Sequence, residues 1–199
     1  MKTPKKTISK KKITRETLKD SNVVSGYVPI QVESSYREND LGNTLYNLVM
    51  ELKPKTIIEF GTLNGYSAIA MAMALRDLGE GHLISYDLWD YYKFKHGNQA
   101  VVQNTIDELG LTEWISLAQG DLKHWEGKAD LVHVDISNDG ETLQMLKNKN
   151  IGGTVIFEGG TPERDKVQWM TKYNKMPMLS SGVRYDVINP RFPGLSKLI

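Results

Sequence analysis

Four leucines recur at helical spacing in the first third of the chain. They stand at positions 41, 45, 48 and 52, so they share one face of an α-helix. Pro54 follows closely, and proline ends a helix because it lacks a backbone donor and its ring clashes with the preceding turn. The pattern therefore predicts an amphipathic helix that ends just before Pro54.

After Pro54, short runs rich in β-branched and aromatic residues alternate with segments of helical spacing. The runs predict strands at Thr56 to Phe60, His82 to Asp87, Trp114 to Leu117, Leu131 to Asp135 and Thr154 to Glu158. The intervening segments predict helices at Tyr66 to Leu78, along the stripe Val102, Ile106 and Leu109 with Gly110 as a left-handed cap, and at Thr142 to Leu146. This alternation predicts an α/β fold with a doubly wound, mostly parallel sheet that carries helices on both faces.

The next helix is predicted from its first residues. Thr161, Pro162 and Glu163 have the residue types of a helix cap, a first helical position and a first-turn acid. They predict a helix that places Val167, Met170 and Tyr173 on one side.

The end of the chain departs from the alternation of strand and helix. Two strand candidates, Val183 to Ile188 and Leu195 to Ile199, leave no room for a helix between them. They predict a C-terminal hairpin that places an antiparallel strand in the sheet.

Composition places the chain among globular proteins. It has 199 residues, of which 40% are hydrophobic and 25% charged, and this is the range of one domain. The absence of cysteine excludes a disulfide framework, a cysteine nucleophile and thiolate metal sites, and it fits a reducing compartment. The longest apolar stretch, Ala68 to Leu75, is far shorter than the roughly 20 residues that cross a bilayer. We expect a cytoplasmic protein without a membrane partner.

Charge is distributed unevenly, although the formal net charge is only +1. Residues 1–15 contain seven Lys or Arg and no acid, so the rest of the chain is mildly acidic. We expect a flexible basic arm over residues 1–15 and a single domain over residues 16–199. Because basic arms also bind nucleic acid, an RNA partner stays an alternative.

Parallel sheets bind ligands beyond the carboxyl ends of their strands, so the residues there are candidate site residues. The first strand passes through Glu59 into a turn with Gly61 and Gly65, the pattern E-x-G-x-x-x-G. Gly61 lets the backbone turn sharply, and Gly65 lets a helix begin close to a ligand. Leu63 stands where a dinucleotide fingerprint has its second glycine, which argues against NAD.

Acidic residues stand at or beside the ends of the later strands as well. Asp87 is placed to accept both hydroxyls of a ribose, and Leu88 and Trp89 are placed to face an adenine ring. Asp121 is placed to accept the adenine amino group. Because the fourth and fifth strands also end in acids, the strand ends describe a nucleoside site beside an acid-lined space.

Five phrases appear in order: IIEFGTLNGYSAIAMAMAL, HLISYDLW, AQGD, ADLVHVD and GGTVIFEGG. With these phrases the sequence resembles the class I S-adenosylmethionine-dependent methyltransferases, and it looks like their small-molecule O-methyltransferase branch over about residues 41–160. The resemblance implies a Rossmann-like sheet of seven strands, whose antiparallel part is the C-terminal hairpin. It also implies S-adenosyl-L-methionine as the cofactor.

The resemblance further implies which residues contact the cofactor. The methionine half would contact Glu59, Gly61, Gly65 and Ser67. The nucleoside half would contact Asp87, Leu88, Gly120 and Asp121.

Asp135 matches the acid that ends the fourth strand, which is a magnesium ligand in metal-dependent relatives. Their fifth strand ends in Asp-Asn or Asp-Asp, whereas this chain has Glu158-Gly159. Asp135 and Glu158 are therefore the candidate Mg²⁺ ligands. Catechol-type relatives carry a lysine base three residues after the fourth-strand acid, where this chain has Asn138. The candidate catalytic residues are accordingly Asp135, Glu158 and His133, although His133 also fits a packed strand residue.

The function that this resemblance implies is methyl transfer to a hydroxyl of a small molecule or sugar. One alternative is a non-catalytic module that binds S-adenosylmethionine or a nucleotide, because fold does not fix function. Another is an RNA or protein methyltransferase that uses the basic arm as an anchor. The acceptor pocket is expected to be shallow, to be built from loops, or to be completed by the second subunit of a homo-oligomer.

Three loops are expected to recognise the acceptor: Val23 to Asn39, Tyr91 to Asn98 and Gly159 to Arg164. The segment Trp89 to His96 mixes aromatic and cationic residues, and its place after Asp87 favours a lid over a nucleic-acid platform. The tryptophans at positions 114, 125 and 169 are expected in the core or at an interface.

Overall fold

The structure is a computed structural model that describes residues 26–199. The predicted basic arm over residues 1–15 therefore lies outside the described residues. Strands of the described part form one sheet: β1 (Thr56–Phe60), β2 (His82–Asp87), β3 (Ile115–Gln119), β4 (Leu131–Val134), β5 (Thr154–Glu158), β6 (Tyr185–Asn189) and β7 (Leu195–Leu198). Their order across the sheet is β3-β2-β1-β4-β5-β7-β6.

Strand direction confirms the predicted fold class. The strands β1 to β5 run parallel, whereas β7 pairs antiparallel with both β5 and β6. The chain starts in the middle of the sheet, moves outward through β2 and β3, and returns to β4 on the other side of β1. This reversal of strand order next to β1 is the switch point at which parallel sheets bind ligands.

The helices cover both faces of the sheet. They are α1 (Leu41–Leu52), α2 (Tyr66–Leu78), α3 (Gln99–Glu108), α4 (Gly140–Asn148) and α5 (Gln168–Lys172). Because side chains alternate across a strand, Ile57 of β1 joins the core formed with α1 and α2, whereas Ile58 and Phe60 join the core under α4. No helix within residues 26–199 combines the length and the apolar character that crossing a bilayer requires.

Most predicted boundaries agree with the structure. The elements β1, β2, β5 and α2 have the predicted bounds, while β3 begins one residue later, at Ile115. Helix α4 begins at Gly140 because the Asp139 side chain caps it, accepting the backbone N–H of Thr142 at 2.8 Å. Gly110 adopts a φ of +66°, as expected of a left-handed residue after α3.

The predicted continuous helix from Thr161 was wrong. The structure has a 3₁₀ turn at Arg164–Lys166 and then the short helix α5, separated by Val167 in an extended conformation with a ψ of 145°. Asp165 explains the break, because its carboxylate accepts the backbone N–H groups of Met178 and Leu179 at 2.9 and 3.0 Å. This tertiary contact draws the segment toward a later part of the chain and overrides the local helical pattern.

Candidate active site

A buried hydrogen-bond network lies beneath the turn that follows β1. Glu59 is fully buried, and its Oε1 accepts the Ser67 hydroxyl at 2.6 Å and contacts His133 Nδ1 at 2.9 Å. Its Oε2 accepts the Ser85 hydroxyl at 2.5 Å. The network joins β1, β2, β4 and α2, so Glu59 fixes the elements around the turn relative to one another.

These contacts change what three predicted site residues are able to do. Both carboxylate oxygens of Glu59 are occupied by protein groups, and Ser67 is itself buried and donates to Glu59. His133 is fully buried on the same face, and its Nε2 has no partner in the described structure. All three residues are therefore buried under the glycine turn, where they stabilise its conformation, and they do not line the surface of the site.

The glycine turn is shaped by close contact with the end of β4. Gly61 has a φ of +96°, and a Cβ there would lie 1.8 Å from the carbonyl oxygen of Asp135. Gly65 has a φ of +84°, and a Cβ there would lie 2.8 Å from the side chain of Val102. Only glycine combines this conformation with this proximity, so close packing, against backbone at Gly61 and against a side chain at Gly65, explains both glycines.

Asp87 connects the glycine turn to the segment after β2. Its Oδ2 accepts the backbone N–H of Leu63 at 2.9 Å, and its Oδ1 accepts that of Trp89 at 3.1 Å. Leu88 is partly buried beside it. Trp89 differs from the expectation that it faces an adenine ring, because it is only 4% exposed and its indole N–H donates to the Ala118 carbonyl at 3.1 Å.

A cavity of about 210 Å³ opens beside the ends of β2 and β3. Its wall consists of Phe60, Tyr86, Gly120, Asp121, His124 and Trp125. Phe60 and Tyr86 stack with ring centroids 5.4 Å apart, and Trp125 meets Phe60 edge-on at 5.6 Å. Aromatic walls of this kind suit a flat heterocyclic ring.

The cavity brings together two predicted site residues, Gly120 and Asp121, and four that the sequence analysis did not assign to the site. Gly120 is required at the wall, since a Cβ there would lie 2.5 Å from the Tyr86 ring. Asp121 Oδ1 accepts the backbone N–H of Lys123 at 3.0 Å, which leaves the other carboxylate oxygen for a ligand. Trp125 was expected in the core or at an interface, and His124 was given no role. Trp125 stands three residues after the strand-end Gly120-Asp121-Leu122, and this proximity to a predicted site turn is the signal that could have placed it in the wall.

Two carboxylates stand at the ends of β4 and β5, as predicted. Asp135 is partly buried, and burial raises its pKa to about 6, although the electrostatic interaction with His133 acts to lower that pKa. Glu158 is only 5% exposed. Burial, together with the negative charge of Asp135, raises the pKa of Glu158, and the Arg164 guanidinium opposes that shift.

Glu158 is held by a side chain that the sequence analysis did not single out. Arg164 Nε and Nη2 donate to the two oxygens of Glu158 at 2.5 and 3.0 Å, a bidentate pair in which both residues are 5% exposed. Within residues 26–199, no group of three or more His, Asp or Glu side chains is arranged to hold a metal ion. Because the Arg164 guanidinium binds both oxygens of Glu158 and its positive charge would repel a cation there, the Asp135 and Glu158 pair does not fit a two-carboxylate magnesium site.

Asn138 stands where catechol-type relatives carry a lysine, and here it is structural. It is fully buried, and its Nδ2 donates to the carbonyls of Val134 and Glu158, both at 2.9 Å. Asn138 therefore ties the ends of β4 and β5 together, which fixes the spacing of the two carboxylates.

The predicted lid segment reaches from the end of β2 to the loop after β4. The Tyr92 and Ser137 hydroxyls are 3.1 Å apart, and Gly97 packs so closely on the Leu63 carbonyl that a Cβ would lie 1.6 Å from it. Tyr91 and Phe94 remain 77% and 58% exposed. The segment therefore covers the glycine turn while presenting aromatic side chains outward.

Comparison with known proteins agrees with this geometry. Residues 58–149 match the model of a methyltransferase domain. The catechol O-methyltransferase of Niastella koreensis is 33% identical over an alignment of 158 positions, which covers 68% of this chain and 66% of that protein. The chain thus spans slightly less than two thirds of the length of this relative.

Solved methyltransferase structures share the fold at low sequence identity. The SAH-bound methyltransferase of Podospora anserina matches with a TM-score of 0.56 and 19% identity, over 83% of this chain and 79% of that one. The O-methyltransferase of Bacillus cereus in complex with SAH matches with a TM-score of 0.54 and 15% identity, over 85% of this chain and 83% of that one. The domain match, the catechol O-methyltransferase relative and the shared fold together bear out the resemblance of this chain to the class I S-adenosylmethionine-dependent methyltransferases.

Proposed function

We propose that this chain transfers the methyl group of S-adenosyl-L-methionine to a hydroxyl oxygen of a small molecule, a class that includes sugars. The observation that carries the proposal is the aromatic cavity at the ends of β2 and β3, with Asp87 and the glycine turn beside it. The names of the relatives support it, since one is a catechol O-methyltransferase and another is an O-methyltransferase in complex with SAH.

The cofactor is proposed to lie across the carboxyl ends of β1, β2 and β3. Its adenine ring enters the aromatic cavity, and the free oxygen of Asp121 accepts the adenine amino group. Each oxygen of Asp87 already accepts one backbone N–H, but a carboxylate offers about four lone-pair sites, so both oxygens can also accept a ribose hydroxyl. The methionine carboxylate faces the N-terminus of α2, where the helix dipole favours an anion.

Glu59 and Ser67 act on the cofactor indirectly in this proposal. Because they are buried and bonded to each other at 2.6 Å, they hold the turn and the start of α2 in the conformation that the methionine half requires. Gly61 and Gly65 keep that turn close to β4 and α3.

Methyl transfer requires little chemistry from the protein, because the sulfonium of the cofactor is an activated methyl donor. The protein has to align the acceptor oxygen with the methyl carbon and the sulfur, and to accept the hydroxyl proton. We propose that Asp135 accepts the proton of the acceptor hydroxyl. Its pKa of about 6 leaves it ionised near neutral pH yet more basic than an ordinary aspartate. Glu158 is committed to Arg164 and His133 lies beneath the turn, so neither is placed for this role.

Calorimetric titration with S-adenosylhomocysteine tests the cofactor site. We expect micromolar binding to the wild-type protein, and binding about 10-fold weaker or more in Asp87→Asn, because an amide keeps one acceptor oxygen but loses the charge. Asp90→Asn is the matched control, since the Asp90 side chain is 89% exposed and we expect its variant to bind like wild type. NAD should not bind. A folded wild-type protein that does not bind S-adenosylhomocysteine contradicts the proposal.

Transfer of labelled methyl groups from S-adenosylmethionine tests the acceptor class. Incubation with phenols, catechols and sugars should label at least one of them, whereas a non-catalytic module would bind the cofactor and label none. Methylation of RNA or protein through the basic arm predicts acceptor binding that falls steeply with salt and is lost when residues 1–12 are removed.

A homo-oligomeric state and a cytoplasmic location stay predictions.

A further inference from the structure

The ion pair between Arg164 and Glu158 lies inside the acceptor end of the site. Each residue is 5% exposed, and the guanidinium binds the carboxylate through Nε and Nη2 in a bidentate geometry. Bidentate pairs of this kind combine a strong charge-assisted contact with a fixed orientation. Glu158 therefore has a permanent cationic partner supplied by the chain.

The surrounding structure holds Arg164 in place from several sides. Its backbone N–H donates to the Thr161 carbonyl at 3.1 Å, which closes the turn that carries it. Its guanidinium carbon lies 5.1 Å from the ring centroid of Trp169, a cation–π contact. A Cβ at position 159 would lie 3.3 Å from Arg164 Cγ and 2.4 Å from the Met178 side chain, so Gly159 leaves the room that the arginine stem occupies.

One end of the guanidinium is left without a protein partner. Arg164 Nη1 is buried and makes no hydrogen bond. Tyr36 is 1% exposed and lies beside Asp135; burial and that carboxylate raise the pKa of Tyr36 well above its usual value, so its hydroxyl is neutral. The negative charges of Glu158 and Asp135 both act on Arg164, which places the four side chains in one cluster. The cluster thus contains two carboxylates, one neutral hydroxyl and one fixed cation with an unused donor.

We propose that Arg164 is the built-in cation of the acceptor site and occupies the position that a divalent metal would take between Asp135 and Glu158. Arg164 neutralises Glu158 and leaves Asp135 as the carboxylate that meets the acceptor. A metal ion would have to displace both hydrogen bonds of the guanidinium and would meet its positive charge. Arg164 is a positioning residue in this scheme, and methyl transfer needs no divalent metal.

Binding of Mn²⁺ tests the exclusion of metal without any assay of activity. The probe is MnCl₂, followed by the loss of the free-ion electron paramagnetic resonance signal. Wild type should show no saturable binding at millimolar MnCl₂. Arg164→Gln should bind Mn²⁺ with a Kd on the order of 1 mM or lower, because it frees both oxygens of Glu158 next to Asp135. The double variant Glu158→Gln/Arg164→Gln should not bind Mn²⁺, because it lacks the Glu158 carboxylate. Arg164→Lys should not bind Mn²⁺ either, because it keeps a positive charge beside Glu158.

Thermal unfolding supplies a second readout on the same variants. MnCl₂ should raise the Tm of Arg164→Gln but leave the Tm of wild type unchanged, because only a ligand bound by the native state stabilises it. Arg184→Gln is the matched control, since Arg184 is an exposed arginine elsewhere on the chain, and it should behave like wild type in both measurements. Saturable Mn²⁺ binding to wild type overturns the proposal, and so does a folded Arg164→Gln that gains none.

The catalytic part of the inference rests on the proposed methyl transfer. Once an acceptor is found, wild type should keep its turnover within about twofold in EDTA and in MgCl₂, whereas a loss of 10-fold or more in EDTA would overturn the inference. Because the Mn²⁺ titration and the S-adenosylhomocysteine titration are separate measurements, failure of the cofactor site and failure of the Arg164 assignment are distinguishable.

Discussion

The site edge of the sheet has two halves that are built in different ways. The half that we propose binds the cofactor, at the ends of β1, β2 and β3, depends on backbone N–H groups and on glycines at positive φ. The half that we propose binds the acceptor, at the ends of β4 and β5, depends on charged side chains in buried surroundings, among them the pair of Glu158 and Arg164. Backbone geometry thus specifies the cofactor half, and the balance of charges specifies the acceptor half. Substitutions in the first half should therefore change cofactor affinity, and substitutions in the second half should change turnover.

The largest effect is expected from Asp135→Asn in the acceptor half. Loss of the proton acceptor should lower kcat by about 10² to 10⁴-fold, with the Kd for S-adenosylhomocysteine changed by less than about twofold. Steady-state kinetics and calorimetry measure the two quantities. Asp186→Asn, on the exposed side of β6, is the control that should leave both unchanged. Full turnover in Asp135→Asn would show that the halves are not divided in this way.

In the cofactor half, Gly61→Ala should weaken the fold itself. The new Cβ would meet the Asp135 carbonyl, a backbone atom that no rotamer change moves away, at a φ of +96°. We expect the free energy of unfolding to fall by about 3 kcal/mol or more in urea titrations. Gly79→Ala separates backbone strain at positive φ from the steric clash. The φ of Gly79 is +72°, but nothing lies within 4 Å of a Cβ there. We therefore expect Gly79→Ala to lower the free energy of unfolding by only about 1 kcal/mol. Equal costs in the two variants would contradict the role of close packing at Gly61.

Asp135 also makes a testable contribution to stability, and it depends on pH. Burial raises its pKa from the usual 3.8 to about 6, so the folded state binds the proton more tightly than the unfolded state. The contribution is favourable below about pH 4 and is lost as the pH rises through 6. Asp135→Asn should therefore be more stable than wild type by about 2 kcal/mol at pH 8 and equal to it near pH 4. A difference that is the same at both pH values would refute this explanation.

The smallest expected effect concerns the lid, which spans the two halves. Tyr92→Phe removes the contact of 3.1 Å with the Ser137 hydroxyl, a bond worth about 0.5 to 1 kcal/mol. We expect a KM for the acceptor that rises about two- to fivefold, with an unchanged Kd for the cofactor analogue. Tyr91→Phe is the control, because that side chain is 77% exposed. A change in cofactor affinity alone would assign the lid to the cofactor half.

The fold was largely predictable because its signals are local. The β-branched run of β1 and the alanine-rich segment of α2 each define an element whose bounds match the structure. The residues of the cofactor half could be proposed from the sequence for the same reason, since Gly61, Gly65 and Asp87 stand within a few residues of a strand end; their contact with the cofactor stays a prediction. The Rossmann-like arrangement, its antiparallel hairpin and the methyltransferase family followed from that order of motifs and are confirmed.

The acceptor half was less predictable because its contacts are tertiary. Arg164 looked like a residue of an ordinary helix, and only the turn imposed by Asp165 and Thr161 directs it to Glu158. The partners of Glu59 are likewise distant in sequence, with His133 separated from it by 74 positions. Hydrophobic periodicity carries no information about such pairs. The sequence analysis therefore proposed Asp135 and Glu158 as magnesium ligands, whereas in the structure Glu158 binds the Arg164 guanidinium.

The contact between Gly61 and the Asp135 carbonyl has an evolutionary consequence. It means that the glycine turn and the strand end that carries Asp135 touch through backbone atoms. In the proposed reaction, the distance between the methyl donor and the proton acceptor is therefore independent of side-chain identity in the surrounding loops. Those loops could then change in sequence and select new acceptor molecules without altering that distance.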